Sequence, residues 1–218
     1  SQTIFAKHDT LHKVFCDIED TINITEYLNI KTIRKIKSGF SKYLLNNSFN
    51  KFSLGYNMIS GSIHPTKFTN ADGVPVSEVL SSDLGILNDN TKPPLDSYLF
   101  EEVFYDSELE RLNITDGEIQ SVAVFTKIPK NSIKIPVAGG YTYSPDFAYV
   151  VKTTSGDYLN FIIETKNVDG KDSLRLEEKR KIEHAQALFN QISKSVKVVF
   201  MTQFANDEIH ELIKNIQT

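Results

Sequence analysis

Two hydrophobic rhythms divide the chain. From Thr10 to about Leu45 the apolar residues Leu11, Val14, Phe15 and Ile18, then Ile30, Ile33, Ile36, Phe40 and Leu44, recur at three- and four-residue spacing, which predicts amphipathic helices. From Phe49 to Pro94 that pattern dissolves into Ser, Gly, Asn and Pro, with a turn predicted at Asn70 to Gly73 and a break at Pro93-Pro94. This stretch reads as connecting structure with room for short strands. DSYLFEEVFYDSELERLNI (96–114) returns to helical spacing, in two pieces. EIQSVAVFTKI, NSIKIPV and SPDFAYVVKTTSGDYLNFIIETKN (144–167) are then strand-like in their Val, Ile, Phe and Tyr content. SLRLEEKRKIEHAQALFNQI is the longest helical pattern, with Ile182, Ala185, Phe189 and Ile192 on one stripe. VKVVFMT is a buried strand, and NDEIHELIKNI is a helix capped by Asn206 or Asp207. The order helix, three strands, helix, strand, helix predicts an α/β layer arrangement with mixed strand directions.

The strand-like hairpin carries its charges in one place. With TSGD (154–157) as the turn, Thr153 pairs with Tyr158, and the ladder sets Asp146 opposite Thr165; a loop one residue different sets it opposite Glu164. In either register Asp146 and Glu164 occupy neighbouring positions at one end of the ribbon. The two-residue period puts Glu164 and Lys166 on one face. Adjacent carboxylates repel, and a hard cation such as Mg²⁺ relieves that repulsion by taking carboxylate oxygens while keeping waters. The carbonyl of Thr165 is a further candidate ligand, and Lys166 can orient an attacking water or stabilise charge on a phosphate. The plainer alternative is a surface hairpin with a weak Glu164–Lys166 pair. Against it, Phe161, Ile162 and Ile163 run straight into Glu164, so the acid ends a strand that reads as buried on both faces.

Composition narrows the setting. The 218 residues are 40% hydrophobic, enough for a core, and the apolar runs are too short to span a bilayer. One cysteine, Cys16, excludes an internal disulfide framework and fits a reducing compartment, the cytoplasm, with no membrane partner. The chain opens on SQTIF without a methionine, as expected of a piece of something longer. A net charge of −4 gives no general attraction to polyanions, so DNA contact calls for a local basic face or a partner. His8, His12 and Cys16 repeat every four residues, but on a helix the outer two stand about 12 Å apart, too far to share one ion.

PD followed by ExK at the end of the next strand, within an αβββαβ order, resembles the PD-(D/E)xK nuclease superfamily. More narrowly, SELER, VFTKIPKNSIKIPVAGGYTYSPDFAYVV, IIETK and LRLEEKRKIEHAQALF resemble the C-terminal endonuclease domain of type III restriction enzyme Res subunits, well over Tyr98 to Thr202 and loosely into GYNMISGSIHPTKFTNADG. The resemblance implies an α/β nuclease core, a central mixed sheet flanked by helices, over 95–218, behind a mainly helical N-terminal extension over 1–94. It implies Mg²⁺-dependent cleavage of double-stranded DNA, with Mn²⁺ a possible substitute. Asp146 and Glu164 would be metal ligands and Lys166 the catalytic lysine. It also implies a helicase-like motor in the Res polypeptide, a Mod methyltransferase subunit that reads the site, and a second nuclease copy for the second strand. No GxxxxGK[ST] loop occurs here, so ATP would act only through a motor outside this chain. A nuclease of another defence or repair system, or a non-catalytic domain on the same fold, are the competing readings.

The superfamily often adds an acid from its first core helix. Glu110 is the candidate, although Ser107-x-x-Glu110 is also capping-box spacing; Glu101, Glu102 and Glu108 read as solvated helix charges. Lys179 and Arg175, beside Lys171 and Arg180, are candidate DNA-phosphate contacts, as is Lys127 together with Lys130. Glu177, Glu178 and Glu183 are interleaved with the first group and favour helix ion pairs instead. His184 and Gln186 are further polar groups within reach of the site.

Overall fold

The structure is a computed structural model that describes residues 6–52, 54–57 and 67–217. Most of the GYNMISGSIHPT portion of the looser resemblance lies outside the described residues. The chain forms two compact units, Ser1–Leu54 with Val137–Tyr141, and Gly55–Pro136 with Thr142–Thr218.

In the first unit the helical rhythm becomes α1 (His8–Ile18) and α2 (Ile30–Lys51), joined through a 3-10 turn at Ile24–Tyr27. Asn29 starts α2: its side-chain oxygen accepts from the N–H groups of Lys31 and Thr32, two donors that the helix itself leaves unpaired. Leu45 and the small Ser41 and Ser48 are the buried face of α2. Gly139, at φ 86°, lies so close to this face that a Cβ there would be 2.3 Å from the Ser41 carbonyl oxygen. His12 Nδ1 is 3.6 Å from Cys16 Sγ on the exposed side of α1.

The second unit begins with α3 (Ser81–Leu84), β1 (Leu87–Asp89) and β2 (Val103–Tyr105), the two strands pairing antiparallel. VFY was expected to be helical. It is a strand because its aromatic and β-branched residues pair with β1, and the helix starts only where Ser107 accepts from Glu110 N–H to cap α4 (Glu108–Thr115). Next along the chain come β3 (Val122–Lys127), the short ribbon of β4 (Ile135–Val137) and β5 (Tyr141–Tyr143), of which Val137 and Tyr141 are counted with the first unit, then β6 (Phe147–Lys152), β7 (Tyr158–Lys166), α5 (Leu176–Ile192), β8 (Val198–Phe204) and α6 (Ile209–Ile216). NSIKIPV therefore contributes to a side ribbon. The central sheet has the order β3-β6-β7-β8, with β7 and β8 parallel and the other pairs antiparallel. The result is the expected mixed sheet with helices. At the last helix neither expected cap acts: Glu208 occupies the N-cap, while the Asp207 carboxylate accepts from Phe204 N–H.

Strand alternation sorts the core onto two faces. Phe147, Tyr149, Val151, Phe161 and Ile163 share one cluster with Ile114 of α4 and Ile209 and Ile213 of α6. On the opposite face Phe189 of α5 stacks on Phe200, ring centroids 5.2 Å apart. Burial on both sides explains why Phe161 to Thr165 is a continuous buried run instead of an alternating one.

Candidate active site

The register of β6 against β7 decides what meets at the charged end. Lys152, not Thr153, pairs with Tyr158, so the loop is Thr153 to Asp157 and the ladder closes at Phe147↔Ile163. Asp146 stands one residue beyond that pair, abreast of Glu164. Thr165 holds it there: its backbone N–H and its hydroxyl both donate to Asp146 Oδ2, each at 2.7 Å. The two-residue period returns Lys166 to the face of Glu164, and its ammonium donates to Glu164 Oε1 at 2.5 Å. Glu164 is 4% exposed, and its other oxygen, Oε2, is buried with no hydrogen-bond partner.

The electrostatics follow from this crowding. Burial, then the charge of Asp146, pushes the Glu164 carboxyl up to about 8, against the pull of Lys166. Asp146 is only partly exposed. It is raised as well, by burial first and then by Glu110, with the Thr165 hydrogen bonds and Lys166 acting the other way. Burial alone would lower the Lys166 ammonium, but Glu164 beside it outweighs that and leaves it above the ordinary lysine value.

Glu110 reaches this cluster from α4. It is 5% exposed, and its Oε2 accepts from Asp106 N–H at 2.7 Å and from Lys127 Nζ at 2.7 Å. The capping-box expectation is half met: Ser107 caps the helix, while the glutamate reaches back one residue further, to Asp106. Lys127 requires a correction. It was expected as a DNA contact, but it is 3% exposed and its ammonium is held by Glu110 and, at 2.9 Å, by Asp106. It is an internal counter-ion. Lys130 joins the same acid, Asp106, from the exposed side.

The α5 residues divide. Lys179, with Lys171 and Gln186, lines a cavity of about 350 Å³ floored by Phe200 and Phe204. Thr202 and Phe204 on its wall are the β8 register partners of Glu164 and Lys166. Arg175 is exposed and bonds Glu178 at 3.3 Å. His184 packs inside the fold with Nδ1 3.0 Å from Tyr56 Oη, and Gln186 bonds Asn190, so no described hydrogen bond ties either to the carboxylates. Two neighbours, Asp106 and Tyr143, went unnoticed in the sequence, and a third, Glu178, was read only as a helix charge. Asp106 could have been found as the residue before the α4 cap, and Glu178 as the acid whose charge acts on Lys166 from the first turn of α5. Tyr143, whose buried hydroxyl faces Glu164, gave no signal within an aromatic strand.

Oxygen donors alone make up this site. Among the described residues no three His, Cys, Asp or Glu side chains gather as a ready metal cluster. The pair Asp146 and Glu164, one oxygen of which is buried and unpartnered, suits a hard divalent cation that keeps some of its waters.

The endonuclease-domain family profile matches residues 96–207, which includes every element that builds this site. The chain belongs to the endonuclease-domain family. It is 87% identical over 215 residues to the type III restriction-modification enzyme EcoPI Res subunit of Escherichia phage P1. Identity is also 87% over 215 residues to the EcoP15I Res subunit of Escherichia coli; in both cases 99% of this chain is covered. A shorter match, 33% over 91 residues and 40% of the chain, is to the StyLTI Res subunit of Salmonella typhimurium. The chain spans 22% of the length of the first two relatives and 9% of the third. No solved structure matches this endonuclease domain significantly.

Proposed function

We propose that this endonuclease domain is the DNA-cleavage module of a type III restriction-modification enzyme, built on a PD-(D/E)xK core and dependent on Mg²⁺. The observation that carries the reading is the buried, unpartnered Glu164 Oε2 beside Asp146 and Lys166. Buried polar atoms are almost always satisfied, and two neighbouring carboxyls raised first by burial, Glu164 then by Asp146 and Asp146 then by Glu110, are the natural seat of a cation.

Asp146 and Glu164 would hold the ion, with the Thr165 carbonyl as a third ligand, and a divalent cation there would neutralise phosphate charge and acidify a water. Thr165 fixes the Asp146 carboxylate through its two hydrogen bonds. Lys166, drawn to the site by Glu164, stabilises the charge that develops on the scissile phosphate and orients the attacking water. Glu110, anchored by Lys127, adds negative charge near Asp146. Lys179 with Lys171 would receive backbone phosphates one strand away from the reaction, and Arg175 would touch DNA only from the exposed start of α5. Double-stranded DNA, a Mod subunit, a motor using ATP elsewhere in the Res polypeptide and a second nuclease copy complete the assembly.

The test places Asp146→Ala and Lys166→Ala in full-length Res with Mod, ATP, Mg²⁺ and target DNA. Each variant is expected to keep ATP hydrolysis and lose DNA cleavage at least 100-fold. Cleavage at the wild-type rate in both would refute the assignment and favour a non-catalytic charged triplet.

A further inference from the structure

The site holds a second orphaned polar atom besides Glu164 Oε2. Tyr143, the last residue of β5, is 8% exposed, and its hydroxyl is buried with no hydrogen-bond partner. Its ring meets the edge of Phe200, centroids 6.4 Å apart, and Phe200 is the register partner of Ile162, two residues before Glu164 on the same face. The phenol thus stands over the carboxylate end of β7. It lies against Glu164 with Asp146 also in electrostatic range, although no hydrogen bond of normal geometry joins it to either.

Tyr98 and Tyr149 also carry buried, unpartnered hydroxyls, but their surroundings differ. Both sit in the aromatic stack of the other sheet face, where Phe125 lies 5.0 Å from Tyr98 and 4.9 Å from Tyr149. Neither has Glu164 among the groups that act on it. Of the three, only Tyr143 has Glu164, the carboxylate with the unsatisfied oxygen, among the groups that act on it. A phenol brings one O–H donor, the group that an unsatisfied carboxylate oxygen lacks.

We propose that Tyr143 is a positioning residue of the active site: its hydroxyl donates toward Glu164 Oε2, directly or through one water, and holds that carboxylate turned toward Asp146. Lys166 grips Oε1 from one side and Tyr143 steadies Oε2 from the other. The carboxylate plane is then fixed before a cation or a phosphate arrives, which is the requirement for tight, well-aligned binding. The proposal rests on the carboxylate site described above.

The measurement is thermal stability of the chain titrated with Mn²⁺, and DNA cleavage by full-length Res with Mod. Tyr143→Phe keeps the ring against Phe200 and removes only the hydroxyl. Its melting temperature without cation is expected to match or exceed that of wild type. Its Mn²⁺ midpoint is expected to rise about tenfold, the lower end of the loss when a ligand's supporting hydrogen bond is removed, and cleavage to fall by about the same order. Tyr149→Phe, equally buried but away from the carboxylates, is expected to leave the midpoint unchanged. A wild-type midpoint in Tyr143→Phe, or an equal shift in Tyr149→Phe, overturns the role of Tyr143 and leaves the carboxylate site standing. Full Mn²⁺ stabilisation of Asp146→Asn overturns the site itself, and Tyr143 with it.

Discussion

Thr165 donates twice to one oxygen of Asp146, and that arrangement tolerates a neutral acceptor as well as a charged one. Asp146→Asn keeps an oxygen for both donors and removes the repulsion with Glu164 and Glu110. In chelator the variant is expected to melt higher than wild type by roughly 2–4 °C, the shift that about 1 kcal/mol gives a domain of this size, while losing the Mg²⁺-induced rise. Differential scanning fluorimetry with and without Mg²⁺ reads both outcomes. A variant that gains stability and loses function marks a site whose charges were not selected for folding. Lys171 and Lys179 make the opposite kind of prediction. Replacing either with Ala leaves the melting temperature near wild type and weakens DNA binding, lowering the slope of log K against log salt by about one.

What the sequence disclosed at this scale depended on whether a charge broke an apolar rhythm. Asp146, Glu164 and Lys166 did so, at the end of a run that only a buried strand would carry. Lys127 looked like another exposed lysine near a proline, because its partners Asp106 and Glu110 come from 17 to 21 residues upstream and no local pattern joins them. Tyr143 was invisible for the opposite reason: a tyrosine in an aromatic strand reads as core.

At the scale of elements, α4 is bound to β8 beneath the sheet by side-chain amides. Asn113 Nδ2 donates to Gln203 Oε1 at 2.6 Å and Gln203 Nε2 returns a bond to Asn113 Oδ1 at 3.1 Å, both residues being buried. Gln203 is the register partner of Thr165, so this pair also backs the strand that carries the site. Gln203→Leu strands the Asn113 amide and is expected to cost about 1–3 kcal/mol, whereas the double change Asn113→Leu, Gln203→Leu should recover part of the loss. Urea midpoints of the three proteins decide it. Elements with a long, uniform period, such as α2, α5 and β7, were legible. The short ones were not: VFY had too few residues to declare a period, and its pairing with β1 was settled by a strand fifteen or so residues away, beyond any sequence window.

For the molecule as a whole, pH acts through the inside of the fold. His184 is buried and held below its ordinary pKa, chiefly by loss of solvent, so the native state keeps the imidazole neutral while the unfolded chain binds a proton near pH 6.5. That contribution to stability is present above about pH 6.5 and is lost as pH falls. The melting temperature of wild type should therefore drop further between pH 7.5 and 5.5 than that of His184→Gln. Among the described residues no helix is long and apolar enough to cross a membrane, and with a net charge of −4 the DNA contact proposed for Lys171 and Lys179 would be a local attraction.

The five-residue turn from Thr153 to Asp157 sits at the far end of β6, about 20 Å of strand from Asp146. Its tip is exposed, with Gly156 at φ 89°, and ordinary tolerance of surface loops would let it gain or lose a residue cheaply. Here such a change slides one strand past the other and carries Asp146 out of step with Glu164. The length of a turn at the far end of the ribbon thereby sets which carboxylates meet, as a hinge's pin fixes where the far edge of a door will meet its frame.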